Sequence, residues 1–400
     1  MNLKGKTVVL AVTGSIAAYK IANLASMLKK LDCNVHVMMT ENATNFINPI
    51  TFETLTCNKC LIDTFDRNFQ FSVEHVSIAK QADAVLIAPA SANVIGKIAN
   101  GIADDMLTTT VMACASRCPV IVAPAMNTNM YRNPILQDNL SKLERFGYTI
   151  IKPDCGRLAC GDVGEGKMPS EEELLWYLLR EIACEHDLAG RKVLITAGPT
   201  REKIDPVRFI SNHSTGKMGY ALAKMCMLHG AEVTLVSGPV HIDAPRFVNL
   251  IPVTTAAEMY DAVTSHFDAQ DMIIKAAAVA DYRPTNPANE KVKKSDDDLS
   301  IPLSRTEDIL SYLGSHKTHQ LLCGFSMETE NMLENSRKKL ERKNLDMIVA
   351  NNVKVEGAGF GTDTNVVTII TREQEEELAM MSKEDVAEAI IGKLLSMQSR

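Results

Sequence analysis

The sequence predicts an α/β protein built from two parallel-sheet units in tandem, and three observations carry that prediction. First, the chain starts twice. KGKTVVLAVTGSIAAYK occupies 4–20 and GRKVLITAGPTREKID occupies 190–205, each with a basic residue, a short Val/Ile/Leu-rich run and a glycine turn. A short apolar run closed by glycine is the pattern of a strand buried on both faces. Second, each start leads into a helical spacing (Ile21, Leu24, Ala25, Leu28; then Met218, Ala221, Leu222, Met225) and a second apolar run, Asn34–Met39 and Glu232–Val236. Both halves therefore open as βαβ units. Third, a chain of 400 residues suits about two or three domains, and the restart favours two, 1–188 and 189–400.

Hydrophobic residues make up 46% and charged residues 23%, so each half can bury its own core. The net charge of −7 argues against a nucleic-acid surface, which needs a basic face to neutralise phosphates. Lys4 and Lys6 before VVLAV imitate an export signal. The run breaks at Gly14 and continues into a helix with Lys20, Lys29 and Lys30, so it reads as a first strand. No run approaches the ~18 apolar residues of a membrane span. Ten cysteines without a disulfide scaffold's spacing point to a reducing cytoplasm, and the lone Cys57-x-x-Cys60 pair reads as packing.

In the first half, the turn Thr13-Gly14-Ser15 lies between strand and helix, where outward amides hold a phosphate. The spacing is not GxGxxG, which counts against a dinucleotide fingerprint. Thr40 ends the second strand at the carboxyl edge, where α/β ligands bind. AVLIAPA (84–90) predicts a third strand, followed by Ser91 and Asn93. PVIVA (119–123) predicts a fourth, followed by Met126 and Asn127. Together they make a flat hydrogen-bonding rim for a planar heterocycle. The glycine-rich stretch Cys155–Met168 reads as a lid. Ser170 before Glu171, Glu172 and Glu173 starts a helix over 171–186, which closes this half.

GSIAAYK (14–20), SVEHVSIAKQAD (72–83), APASAN (88–93), PAMNTNM (124–130) and ACGDVGEGKM (159–168) resemble the flavin-dependent cysteine decarboxylases, most closely phosphopantothenoylcysteine decarboxylase, over about residues 1–170. The resemblance implies a flavodoxin-like fold with FMN bound near Gly14, Ser15, Thr40, Ser91, Asn93 and Met126. It also implies three functional positions. His75 would lie beside flavin and substrate, Asn127 would hold the substrate carboxylate, and Cys160 would protonate the enethiolate. A carboxylate on a tetrahedral carbon has no electron sink, and a flavin that oxidises the neighbouring thiol supplies one.

In the second half, AGPTREKIDPVRFISNHSTGKMG (197–219) contains STGK, which lacks the spacing and the preceding strand of a Walker loop. DMIIKAAAV (271–279) predicts a strand that ends at Ala280-Asp281-Tyr282, and EKVKK (290–294) follows. These segments and GFSMET (324–329) resemble phosphopantothenate–cysteine ligase over about 190–395. The resemblance implies a Rossmann-like fold, CTP and Mg2+ as activators, and 4′-phosphopantothenate and L-cysteine as substrates.

By the same resemblance, Ala276, Ala277, Asp281 and Lys291 contact the nucleotide, with the loop Glu307, Asp308, Ile309 and Leu310. Phe325 packs in the base region, Lys339 and Lys343 complete the site, and Arg208 and Asn212 serve the second half-reaction. Metal ligands stay unassigned. Three departures stand out: Thr306-Glu307 where the family commonly has Asn-Pro, Lys275 at a position often small or apolar, and Lys167 for a common arginine, which keeps charge but loses bidentate geometry.

Both activities in this order resemble the bacterial bifunctional coenzyme A biosynthesis family. That implies cysteine ligation followed by decarboxylation to 4′-phosphopantetheine. It also implies a homo-oligomer, a dodecamer built from trimers and ligase-domain dimers. A nicotinamide oxidoreductase with two Rossmann units is disfavoured by the missing GxGxxG in either half. A non-catalytic relative that inhibits a phosphatase is disfavoured because His75, Asn127 and Cys160 occur together.

Overall fold

Thr7–Val12 (β1) is buried along its whole length, as an interior strand of a sheet is. It pairs in parallel with β2 (Asn34–Met39) and β3 (Ala84–Ala90). β4 (Val120–Pro124) and β5 (Thr149–Ile150) extend the sheet in the order β2-β1-β3-β4-β5. This is the flavodoxin-like arrangement. The computed structural model describes residues 2–65, 74–159, 161–294, 299–327, 331–351, 359 and 361–398, and the chain divides into two compact units, Met1–Cys184 and Glu185–Arg400.

In the first unit, helix Lys20–Lys30 buries Ile21, Leu24, Ala25 and Leu28 and packs beside helix Glu171–Ile182. Val9, Ala11, Val85 and Ile87 of the sheet pack with Ile78, Val94, Leu107, Val111 and Leu140 from other helices. The helix expected over 171–186 stops at Ile182, with Ala183 as its cap. Beyond it, Asp187 Oδ1 lies 2.6 Å from His229 Nδ1. The glycine-rich stretch forms an antiparallel hairpin, β6 (Asp154–Arg157) with β7 (Val163–Lys167).

The second unit contains β8 (Lys192–Ala197), β9 (Arg201–Lys203), β10 (Phe209–Ser211), β11 (Glu232–Ser237), β12 (Asn249–Pro252), β13 (Met272–Lys275), β14 (Tyr282–Pro284), β15 (Leu303–Arg305), β16 (Leu321–Met327), β17 (Met347–Asn351), β18 (Thr364–Thr371) and β19 (Glu375–Ser382). Its main sheet runs β12-β11-β8-β13-β16-β17-β18-β19. The first six are parallel and follow the Rossmann order, with the reversal between β8 and β13. β18 and β19 are added antiparallel, so this sheet is mixed, an extension the sequence reading did not anticipate. β9–β10 and β14–β15 form two short hairpins.

The strand expected over 271–279 ends at Lys275 because the next amides turn toward β8. Ala276 N donates to Thr196 O at 3.2 Å, Ala277 N to Thr196 Oγ1 at 3.2 Å, and Ala278 N to Gly198 O at 3.0 Å. The final helix, Lys383–Gln398, buries Val386, Ile390 and Leu394. At its start Ser382 Oγ accepts from Asp385 N at 3.1 Å. Among the described residues no helix is long and apolar enough to cross a membrane.

Candidate functional site

Each unit carries a cavity at its own topological switch point, the place where α/β sheets bind ligands. In the first unit this is the gap between the carboxyl ends of β1 and β3. Buried Thr13 stitches the two ends, its Oγ1 donating to Pro89 O at 2.6 Å and accepting from Ser91 N at 2.9 Å. The cavity, about 470 Å³, is lined by Gly14, Ser15, Ile16, Tyr19, Ser91, Met126, Asn127 and Met130, and by Arg157, Leu158, Gly166 and Lys167 of the hairpin. A side chain at Gly14 would place its Cβ 2.8 Å from Asn42 Cβ, so the turn can close only with glycine.

Ile16, Tyr19 and Met130 are 56%, 58% and 50% exposed. Three large apolar side chains held open around one cavity call for a flat apolar ligand. Ser15 and Ser91 each accept from a backbone amide at a helix start, Ala17 N at 3.4 Å and Val94 N at 3.5 Å. The slot suits an isoalloxazine ring, and the Gly14–Ser15 turn suits its phosphate.

Asn127 caps the short helix Thr128–Tyr131, with Oδ1 accepting from Asn129 N at 2.8 Å. Its Nδ2 donates to Asp162 Oδ2 at 2.8 Å. The hairpin closes on the same segment. Met126 N donates to Gly166 O at 3.0 Å, and a Cβ on Gly166 would lie 2.2 Å from Met126 O. Of the other expected residues, Thr40 caps a short helix by accepting from Ala43 N at 3.3 Å, Asn93 is exposed, and His75 is half-buried at the start of helix Glu74–Gln81. None of these three lines the cavity. Cys160 lies outside the described residues, as do 72–73 of the quoted motif.

In the second unit the cavity, about 220 Å³, sits where β8 and β13 part. Ser214, Thr215, Gly216, Lys217, Lys275, Ala276, Ala277, Asp281, Phe325, Lys339, Asn351, Asn365 and Lys383 line it. Helix Lys217–Leu228 begins at Gly216, whose φ of 79° is left-handed, without a side-chain cap. Its first amides are available to an anion. Gly219 lets this helix lie against β8, since a Cβ there would be 2.5 Å from Ala197 Cβ.

The lining is strongly cationic. Lys217 Nζ reaches Asp363 Oδ1 at 2.7 Å and Gly361 O at 2.9 Å. Lys383, buried, donates to Gly359 O at 2.9 Å and to Thr362 O, and burial followed by Lys217 lowers its pKa. Lys339 Nζ donates to Phe325 O at 3.3 Å. Burial, reinforced by Lys339 and Lys343, pushes the Lys275 ammonium down to about 8. Asn351 Oδ1 is buried with no partner among the described residues. Asp281 is the one carboxylate among the described lining residues.

Five of the expected nucleotide residues therefore meet here: Ala276, Ala277, Asp281, Phe325 and Lys339. Lys343 is outside the lining, paired with Asp308 at 2.6 and 2.9 Å. Asp308 caps helix Ile309–His316. Ile309 and Leu310 are core residues, so only their backbone is available, and Glu307 is exposed.

Arg208 is committed to buried Asp205, with Nε and Nη2 donating to Oδ2 at 2.9 and 2.5 Å and Nη2 also to Val292 O at 2.8 Å. Asp205 further accepts from the amides of Val207, Arg208 and Val292. The Arg208 guanidinium above all holds this carboxyl well below the usual range. The pair staples the segment that carries exposed Lys291. Asn212 Nδ2 donates to Ala278 O at 2.8 Å. Sequence reasoning missed Asp205, Asn351 and Lys383. It dismissed STGK as a Walker loop, and STGK is still not one, yet Ser214–Lys217 opens the helix at the cavity.

Residues 1–183 match the family described as Flavoprotein, and residues 188–397 match the DNA/pantothenate metabolism flavoprotein C-terminal domain. The Coenzyme A biosynthesis bifunctional protein CoaBC of Bacillus subtilis (strain 168) is 48% identical over 402 residues, covering 100% of this chain and 98% of its own. The protein of that name from Haemophilus influenzae is 42% identical over 396 residues, covering 99% and 98%. That from Escherichia coli (strain K12) is 39% identical over 400 residues, covering 99% and 98%. With each half matched by its own profile and the whole length matched by these relatives, the chain belongs to the family of bifunctional coenzyme A biosynthesis proteins.

Proposed function

We propose that the second unit joins L-cysteine to 4′-phosphopantothenate with CTP and Mg2+, and that the first unit decarboxylates the product, phosphopantothenoylcysteine, to 4′-phosphopantetheine with FMN. The chain is thus a decarboxylase and a ligase of coenzyme A biosynthesis. One observation carries the reading: each unit has a switch-point cavity, one apolar with an aimed amide, the other lined by lysines. That is the division of labour the two reactions require.

For ligation, a carboxylate oxygen of phosphopantothenate attacks the α-phosphorus of CTP, and the bond to pyrophosphate breaks. The cysteine amine then attacks the acyl carbon, the C–O bond to CMP breaks, and the amine loses a proton. Charge grows on phosphate oxygens in both steps. Lys217, Lys339, Lys383 and the amides after Gly216 are fixed around that position, so they stabilise it without reorganising. Phe325 packs on the base. Asp281 would hold Mg2+, one carboxylate plus substrate phosphates being a common shell for that ion, and the metal would neutralise the leaving pyrophosphate. Lys291, Arg208 and Asn212 act in acyl transfer, on segments organised by Asp205 and Ala278.

For decarboxylation, FMN held by Gly14, Ser15, Ser91 and Met126 would supply the electron sink that lets the carboxylate leave as carbon dioxide. Asn127 Nδ2 orients the substrate carboxylate. Ile16, Tyr19 and Met130 exclude water from the reacting carbon. Cys160 would give its proton to the enethiolate, and His75, which does not line this cavity, is assigned the oxidation step by the family resemblance alone.

The protein is read as a cytoplasmic homo-oligomer, a dodecamer of trimers joined by ligase-unit dimers. Exposed Val207 and Phe209 near β9–β10, with Tyr282 and Leu303 of β14–β15, support self-association of the second unit. Mass spectrometry after mixing purified chain with 4′-phosphopantothenate, cysteine, Mg2+ and CTP tests the reading. 4′-Phosphopantetheine with CMP and pyrophosphate supports both halves. Accumulation of phosphopantothenoylcysteine in flavin-loaded protein would remove the decarboxylase roles, and no product would remove both.

A further inference from the structure

Lys275 is the departure that the reading above leaves without work. It ends β13, in register with Thr196 of β8 and Gly324 of β16, so it stands at the switch point itself. Two residues earlier, Ile273 packs in the core beneath the helices that carry Leu313 and Leu340. The strand's alternation puts Lys275 on that same face, at the edge where core gives way to cavity, and it lines the cavity.

Lys275 is half-buried, and an ammonium that loses part of its hydration without a partner is costly. Its cationic neighbours are engaged: Lys343 with Asp308 at 2.6 Å, Lys217 with Asp363 at 2.7 Å, and Lys339 with Phe325 O at 3.3 Å. The Lys275 ammonium makes no hydrogen bond or ion pair with any described residue. The charged groups that face it are Lys339 and Lys343 from helix Met332–Arg342 and its end, Asp308 from the start of helix Ile309–His316, and Asp281 from the loop after β13. Thr196 and Gly324 beside it are neutral. An anion brought into the cavity would meet an unengaged cation.

Resting on the ligase reading of this cavity, we propose that Lys275 is a substrate-contacting residue whose ammonium binds a phosphate group, supplied either by the nucleoside triphosphate or by the phosphorylated acid substrate. In the free protein the ammonium is pushed down to about 8 by burial and by Lys339 and Lys343. A bound phosphate favours the charged form and raises that value. Binding therefore takes up a fraction of a proton between roughly pH 7.5 and 9.5, and affinity is highest below that window and falls through it.

The test is calorimetric titration of the full-length chain with CTP, with cytidine and with 4′-phosphopantothenate, each alone so that no turnover occurs, in wild type, Lys275→Met and Lys275→Arg. The expected result is a loss of about tenfold or more in the affinity of Lys275→Met for one of the two phosphate ligands, the size of a charged hydrogen bond. Cytidine binding should be unchanged, and Lys275→Arg should retain most of the affinity. Which ligand suffers identifies the source of the phosphate. In buffers of different ionisation enthalpy at pH 8.5, the proton uptake of wild type should be absent in Lys275→Met. Unchanged binding of both phosphate ligands, or equal loss for cytidine, overturns the proposal while leaving the ligase reading intact. Failure of wild type to bind CTP or 4′-phosphopantothenate overturns both.

Discussion

Asn127 donates its side-chain amide to the Asp162 carboxylate at 2.8 Å while its carbonyl caps the helix that follows. One residue thus holds the local backbone and presents a donor that already recognises a carboxylate. Asp162 belongs to the connection between β6 and β7 and is exposed.

Asn127→Asp separates the two roles. Aspartate is as good a cap as asparagine, so thermal stability should stay within about 1 kcal/mol of wild type. The donor becomes a carboxylate facing Asp162 and the incoming substrate. Phosphopantothenoylcysteine decarboxylation should fall at least about a hundredfold, a loss of roughly 2.7 kcal/mol or more, with flavin absorbance and cysteine ligation unchanged. Retention of decarboxylation would remove the carboxylate role from Asn127.

Asp205→Asn removes the charge that collects five donors and staples Val292. The Tm of the second unit should drop by more than about 5 °C, with ligation falling as the Lys291 segment loosens. Because the folded carboxyl sits below its usual range, its stabilisation is present above roughly pH 4 and is lost as pH falls through the folded value. Wild type should therefore lose stability on acidification over a range where Asp205→Asn changes less, a difference that circular dichroism melts from pH 5 to pH 2.5 would read.

Two glycine replacements should separate the activities. Gly166→Ala sets a Cβ against Met126 O at a φ of 130°, which must displace the hairpin from the first cavity, so decarboxylation should fail while ligation continues. Gly219→Ala pushes helix Lys217–Leu228 away from Ala197; ligation should fail and flavin loading persist. Coupled product assays on each variant give the answer directly.

Asn351→Leu removes a buried carbonyl that has no partner among the described residues. An orphaned polar atom lowers stability, so its loss should leave Tm unchanged or higher. CTP affinity should nonetheless fall about tenfold if that oxygen accepts from the nucleotide. A stability loss without any change in CTP affinity would make Asn351 a plain core residue.

Much of the molecule was legible because its physics is local. The limits of β1, β2 and β3, from Thr7, Asn34 and Ala84, follow from short apolar runs that end at turn residues. The helix start at Ser170 follows from a hydroxyl and three carboxylates that suit an unpaired helix end. The second beginning at Gly190 announced two units, since a restarted βαβ pattern needs its own sheet. Gly14, Ser91, Met126, Asn127, Ala276, Asp281, Phe325 and Lys339 were all singled out from sequence and all line a cavity. Gly14, Ser91, Met126, Asn127 and Asp281 stand at a strand end or a glycine turn, which already pointed to the carboxyl edge, whereas Ala276, Phe325 and Lys339 were singled out by the family resemblance.

The rest depended on pairings that no local pattern records. β18 and β19 could have joined either edge of the sheet, and it is packing that sets them antiparallel beside β17. Lys383 reads as the start of a terminal helix, Lys217 as part of a polar loop, and Lys275 as an interruption in an apolar strand, yet one cavity gathers all three. Asp205 looks like a turn residue until Val292, 87 positions later, brings it an amide. The sequence by itself determined the two sheets, their tandem order and the edges where ligands bind, because alternation and turn chemistry act over a few residues. Only the tertiary structure decided which distant charges face one another and which are left unpaired, because electrostatics and desolvation depend on distance in space.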